Sequence, residues 1–149
     1  ESLKESNTDH IPVNKELKNL KTYLSLEQLR YSFTYHVNID TNIDLFATLI
    51  PPFLLQPFVE NAIKHGVSKM NGNGELNLAI RKMGNDMLIT IADNGPGFKA
   101  DAIKEGYGLS LSRKRIELLN CNYGEELIRL QIESTNEGAS ILLSFKNWL

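Results

Sequence analysis

The sequence lacks most of the features that announce a function class. It carries a single cysteine, Cys121, so no internal disulfide framework holds it, and a lone thiol fits a reducing compartment. As a small apolar side chain, Cys121 is expected to fill core space. Charge of either sign is not in excess: 16 Lys and Arg stand against 18 Asp and Glu, a formal net charge of −2. That balance suggests neither a nucleic-acid footprint nor a disordered tail. No apolar run approaches the roughly 18 to 20 residues that cross a bilayer. The opening "ESLKESNTDH" has neither the basic nor the apolar region of a signal peptide. The chain as given therefore reads as soluble, and Glu1 in place of an initiator Met fits a piece of a longer protein. No G-x-x-x-x-G-K-[ST] run occurs, which excludes a Walker-type phosphate loop.

What is present is enough for one compact unit. The 149 residues are 42% apolar and 23% charged, which suits a single domain with a real core. Residues 1–11 are polar and unpatterned and read as a linker remnant, leaving 12–149 as the domain. Leu17, Leu20, Leu24 and Tyr31 recur at helical spacing, predicting a helix over 15–31 with Asn14 as N-cap. "FTYHVNI" alternates, so Phe33, Tyr35, Val37 and Ile39 share one strand face. A second helix is expected from Pro52 to His65, with Gly66 as its stop and Pro57 as a kink or first-turn residue. "ELNLAIRKM" and "DMLITIAD" alternate around "GND", a hairpin signal. A third helix covers about 109–120, with Leu109, Ile116 and Leu119 apolar. Strands "LIRLQIES" and "ASILLSF" close the chain around "TNEG". Adjacent hairpins favour an α+β fold, a two-layer α/β sandwich whose mixed, mostly antiparallel sheet is covered on one face by helices.

Chemistry gathers at three places. In "VENAIKHG", Asn61 and His65 lie one helical turn apart and project from one side, with Glu60 and Lys64 alongside. A solvated face with a Glu60–Lys64 pair would explain these residues equally well. His65 has no second imidazole or thiolate at ligand spacing, so zinc is disfavoured, while an amide oxygen suits a hard cation such as magnesium. "DNGPGF" follows a strand: Asp93 stands at the strand end, and Gly95 and Gly97 permit a close backbone approach to a flat ligand. A plain Asx turn is the alternative there. A carboxylate so placed can accept a hydrogen bond from an exocyclic amine such as that of adenine. In "GYGLSLSRKR", Gly106 and Gly108 precede a helix start, whose amides favour phosphate. "KADAIKE" between the glycine clusters suits a lid, with Lys99 and Lys104 as solvated residues. "GPGFKA" matches a dinucleotide fingerprint, but the hairpin order contradicts a parallel βαβ unit.

"ENAIKHG", "DNGPGF" and "GYGL", in this order, resemble the N box and glycine boxes of the ATP-binding fold shared by gyrase, Hsp90, MutL and histidine kinases. "IPPFLLQPFVENAIKHG" and "LKNLKTYLSLEQLRYSF" resemble the LytS-like sensor histidine kinases, over roughly residues 12–146. The resemblance implies ATP and Mg2+ as ligands, with Asn61 holding the magnesium and Lys64 and His65 lining the pocket. It implies that Asp93 reads the adenine amine beside Gly95 and Gly97, and that Gly106, Gly108 and Leu109 lie near the phosphates. Gly138 resembles the glycine of the last strand pair, and Arg113 and Arg115 fall where this subfamily often carries arginines. The implied activity is transfer of the ATP γ-phosphate to a histidine on a dimerisation domain outside this chain. The implied partners are that phosphoacceptor domain, a response regulator and a homodimeric parent, with no nucleic acid and no direct membrane contact. A cytoplasmic domain follows, and anchoring of the parent in the inner membrane is left open. Neither His10 nor His36 has the neighbourhood of an acceptor. Three residues depart from the family pattern: Pro57 stands where relatives place a glutamate or asparagine, Leu111 for asparagine, and Ala139 for threonine. The first departure removes a water-activating base, and all three leave open a degenerate nucleotide-binding module without transfer.

Overall fold

The computed structural model describes residues 9–97 and 109–149. Helix α1 spans Val13–Glu27 and buries Val13, Leu17, Leu20 and Leu24 along one stripe. It begins two residues before the expected start, and Asn14 is not its cap. The N-cap is Pro12, without a side-chain hydrogen bond. The first amides are satisfied by a distant loop instead: Val13 N–H donates to Thr48 O at 2.8 Å and Asn14 N–H to Leu45 O at 3.0 Å. The helix also ends four residues short of expectation, at Glu27. There the Gln28 side-chain amide donates to Phe33 O, which turns the chain into strand β2.

Strand β2 (Phe33–Ile39) alternates as its sequence requires, with Phe33 buried and Thr34, His36 and Asn38 exposed. Strand β1 (Ile11–Pro12) pairs antiparallel with β3 (Leu49–Ile50), a two-residue ladder that periodicity does not detect. Residues 51–55 form turns rather than helix, and Phe53 has a left-handed φ of 60°. Helix α2 therefore starts at Gln56, not near Pro52, and runs to His65. Pro57 lies in its first turn, where the missing N–H costs nothing, so it does not kink the helix.

Strands β4 (Gly74–Met83) and β5 (Asp86–Asp93) form the expected hairpin. Helix α3 (Leu109–Tyr123) runs three residues beyond the expected end. Its junction with β6 (Ile128–Thr135) is closed by Asn120, whose Oδ1 accepts from the amides of Leu127 and Ile128. Strand β7 (Gly138–Phe145) then returns antiparallel to β6. The five-stranded order is β2-β4-β5-β7-β6, parallel only between β2 and β4 and antiparallel elsewhere. A parallel pair needs a crossover, and α2 occupies it.

Alternation places Leu76, Leu78, Ile80, Ile89, Ile91, Leu143 and Phe145 on the covered face, all essentially buried. They pack against Leu20 and Leu24 of α1 and Phe58, Val59 and Ile63 of α2. The fold is thus the expected two-layer α+β sandwich. Cys121 corrects one expectation: it is exposed on α3, because Ile116 and Tyr123 take the buried positions there. His10 is another difference, since its side chain is 1% exposed. It lies 2.9 Å from the Tyr123 hydroxyl and stacks on Trp148, so the packed unit reaches back to His10, ahead of residue 12. Trp148 in turn donates to Leu49 O at 2.7 Å, which ties the last residues to β3.

Phe58, with no exposed surface, joins helix layer to sheet. Phe58→Ala is expected to lower unfolding stability by about 3–5 kcal/mol, and Cys121→Ser to change it by less than about 0.5 kcal/mol, both read from urea unfolding.

Candidate functional site

Four residues of α2, Phe58, Asn61, Ala62 and His65, fall on one helical face and form one wall of a cleft. The opposite wall comes from the end of β5, Ile91 and Asp93, with Gly97 just beyond it. Leu109 at the start of α3 and Ala139 and Ile141 of β7 close the remaining sides. The cleft encloses about 340 Å³ between atoms including its mouth. It is a narrow slot with largely apolar walls.

Asp93 is the last residue of β5 and pairs in register with Ala139 of β7. Its Oδ1 accepts the Gly95 N–H at 2.8 Å. Burial pushes the Asp93 carboxyl above the usual range, and the amides of Gly95 and Ala139 pull it partly back. A carboxylate has about four acceptor positions, so capacity remains for a donor in the slot. The following turn is clamped by Asn94, whose Oδ1 accepts from Glu75 N–H at 2.7 Å and whose Nδ2 donates to Asn73 O at 3.0 Å.

Backbone packing makes the Asp93 wall. A Cβ on Gly66 would collide with Ala62 O and lie 2.5 Å from the Asp93 carboxylate oxygen. A Cβ on Gly95 would collide with the Cα of Gly66. The end of α2 and the turn after β5 therefore touch backbone to backbone. Gly97, at φ 75°, has no room for a side chain against Thr135 O, so it needs glycine on both counts.

Asn61 is 9% exposed and lines the slot, its amide oxygen a hard acceptor. Among the described residues no group of three His, Cys, Asp or Glu could hold a metal ion. A hard cation that uses few protein ligands and takes phosphate oxygens and waters for the rest fits this donor set. His65 is half-buried, and desolvation, then the positive charges of Lys64 and Lys69, push its imidazole below the usual value. Lys64 itself is exposed and is not among the lining residues. Glu60 accepts from the Gln56 side chain at 3.1 Å.

The structure thus brings Asn61, His65, Asp93, Gly97 and Leu109 to one slot, with Gly95 behind Asp93. Gly106, Gly108, Lys99 and Lys104 lie outside the described residues. Gly138 backs the Asp93 carbonyl, where a Cβ would collide with it. Arg113 and Leu111 are exposed, and His36 is exposed on the far face of the sheet. Sequence reasoning missed Phe58, Ala62, Ile91 and Ile141 as lining residues, and Gly66 as more than a helix stop. Spacing on α2 could have found Phe58 and Ala62, which lie three residues before Asn61 and His65 respectively.

Residues 53–147 match the family described as histidine kinase-, DNA gyrase B-, and HSP90-like ATPase. The chain is 34% identical to the sensor protein LytS of Staphylococcus saprophyticus over 94% of its own length. That match covers 25% of the relative, so the chain spans about a quarter of the length of the curated relatives it matches. Its fold is similar to the nucleotide-free catalytic domain of histidine kinase ThkA, at TM-score 0.69 and 14% identity, covering 93% of this chain and 94% of that one. It is also similar to ThkA in complex with the response regulator TrrA, at TM-score 0.60 and 16% identity, over 91% of this chain and 40% of that one.

Gly66→Ala is expected to separate α2 from Asp93 and lower stability by about 1–3 kcal/mol in urea unfolding. The fold favours neutral His65, so its stabilising effect is complete above 6.5, the ordinary value, and is lost as pH falls through the lower folded-state value. On acidification from about pH 7.5 to about pH 5.5, the melting temperature of the wild type should fall further than that of His65→Gln.

Proposed function

The chain belongs to the histidine kinase-, DNA gyrase B-, and HSP90-like ATPase family, and from that premise we propose that residues 12–149 are the catalytic ATP-binding domain of a LytS-type two-component sensor histidine kinase. The observation that carries this reading is the meeting of Asp93 and Asn61 in one apolar slot. Asp93 offers a half-buried carboxylate to the adenine amine at the strand end, with Gly95 and Gly97 shaping the wall. Asn61, one helical turn from His65 and about 6 Å along the axis, faces the phosphate end of the same ligand. Bound magnesium would neutralise phosphate oxygen charge, and Asn61 is the residue to hold it. Lys64, exposed on the same helix, supplies positive charge, and His65 supplies a neutral imidazole wall. Leu109 lines the slot at the start of α3, and Gly106 and Gly108 are assigned to the phosphate end from their place in the sequence alone.

Phosphoryl transfer depends mainly on positioning and on charge at the transferring oxygens. This chain supplies the positioning. Pro57 stands four residues before Asn61 and offers no base to activate water, so the γ-phosphate is kept for a protein nucleophile. That nucleophile comes from elsewhere: His10 is enclosed by Tyr123 and Trp148, and His36 lies on the sheet face away from the helices. We assign it to a dimerisation and phosphoacceptor domain of the same homodimeric parent. A response regulator, the class of partner named in the ThkA complex, then takes the phosphoryl group. The site is cytoplasmic on this reading, and no helix among the described residues is long and apolar enough to cross a membrane.

Pro57, together with Ala139 in the slot wall, favours a second reading in which nucleotide occupancy controls protein contacts without transfer. Calorimetric titration with Mg-ATP should show binding tighter than about 1 mM. Asp93→Asn should weaken it by about tenfold to a hundredfold and remove most preference for adenine over guanine nucleotides, as expected for a charge-assisted hydrogen bond. Asn61→Ala should chiefly remove the dependence on magnesium. Acid-labile phosphate on a histidine of the longer parent protein supports transfer, and its absence despite nucleotide binding favours the second reading.

A further inference from the structure

Glu16 is a carboxylate where an apolar side chain would be expected. It lies on the core-facing side of α1 and is 1% exposed. An ionised carboxylate is buried at a large cost unless other groups replace its water. The replacements are backbone amides: Oε1 accepts Phe53 N–H at 3.0 Å and Oε2 accepts Leu55 N–H at 3.1 Å. These amides lead directly into Gln56, the first residue of α2. Leu55, the N-cap of α2, makes no side-chain capping bond. A helix start with free amides and the positive end of the dipole favours an anion. Glu16 provides it from a different helix. Its bond to Phe53 also holds that residue at φ 60°, a backbone conformation non-glycine residues rarely adopt.

We propose that Glu16 is a positioning residue of the nucleotide site: its carboxylate fixes the start of α2 and thereby the placement of Asn61 in the slot. The inference rests on the reading of that slot as an ATP site. Helix α2 is pinned twice. At its far end Gly66 lies against Gly95 beside Asp93, and at its near end Phe53 and Leu55 hang on Glu16. Asn61 lies between the pins. Releasing the near pin swings Asn61 while leaving Asp93, on β5, in place. Glu16 is not among the residues lining the slot, and each of its oxygens accepts from a backbone amide, so it acts through the helix alone. Burial pushes the Glu16 carboxyl above its usual range, and the Phe53 and Leu55 amides, with the positive charge of Arg115, pull it partly back. A purely structural role would be filled as well by an apolar side chain, since replacing a buried ionic group by a hydrophobe of similar volume is often neutral.

The two ideas separate in one titration series on the chain itself, using ATP with magnesium and ATP with excess chelator. Glu16→Ala is expected to weaken Mg-ATP binding about tenfold, and Glu16→Gln, which keeps one acceptor oxygen, about threefold. In both, the affinity gained from magnesium shrinks while the preference for adenine over guanine stays. Leu24→Ala, a fully buried position further along the same helix, should lower the melting temperature and leave both quantities unchanged. If Glu16→Ala does not fold, Glu16→Gln decides the matter alone. Wild-type affinity and an intact magnesium gain in Glu16→Gln would overturn the positioning role while leaving the ATP site standing. Failure of the wild type to bind ATP at all would overturn the site, and this inference with it.

Discussion

The contact between Gly66 and Gly95 governs the geometry of everything around it. Two backbones meet there with no side chain between them, since a Cβ on Gly95 would collide with the Gly66 Cα. That closeness brings the last turn of a helix against the end of the strand that carries Asp93. The carboxylate then faces helix residues rather than water, and burial raises its affinity for a proton. The Gly95 and Ala139 amides keep the group oriented. One close approach thus fixes the distance between the two walls of the slot, the orientation of its acidic group and the local polarity.

The elements that could be read from the sequence are those whose stabilisation is local. β2 and the hairpin of β4 and β5 declare themselves by alternation, because each strand must bury one face and wet the other. The ends of the helices were harder to place, and for a single reason. The amides at the start of α1 are satisfied by Thr48 and Leu45, those ahead of α2 by Glu16, and the α3–β6 junction by the Asn120 side chain. Thr48, Leu45 and Glu16 lie far along the chain and leave no mark beside the termini they serve. The ladder of β1 and β3 is hidden for another reason, since two residues are too few to show a period.

The site divides along the same line. Asn61, His65, Asp93 and Leu109 were legible because polar or glycine-flanked residues stood at element ends or one turn apart, and the fold brings them to one slot. Gly66 was legible only as a helix stop, since its second role depends on a residue 29 positions away that contacts it through backbone alone. Cys121 was misjudged because small apolar character is a weak guide on a helix whose buried face is set by Ile116 and Tyr123.

Pro57 gains its meaning from Glu16. A helix that caps itself commonly needs a polar side chain near its first turn, and such a side chain four residues before Asn61 would point the same way as Asn61. Here the anion at the helix start arrives from α1, with both oxygens bound by backbone amides. The first turn is thereby free to hold proline, which needs no donor there and stiffens the approach to the slot. The remaining titratable side chains in the slot are His65, held toward its neutral form, and Asp93, already engaged by two amides at the opposite end from the phosphates on the proposed reading. On the proposed reading, such a slot grips and orients a nucleotide without a carboxylate four residues before Asn61, which suits a domain whose γ-phosphate is kept for a protein acceptor.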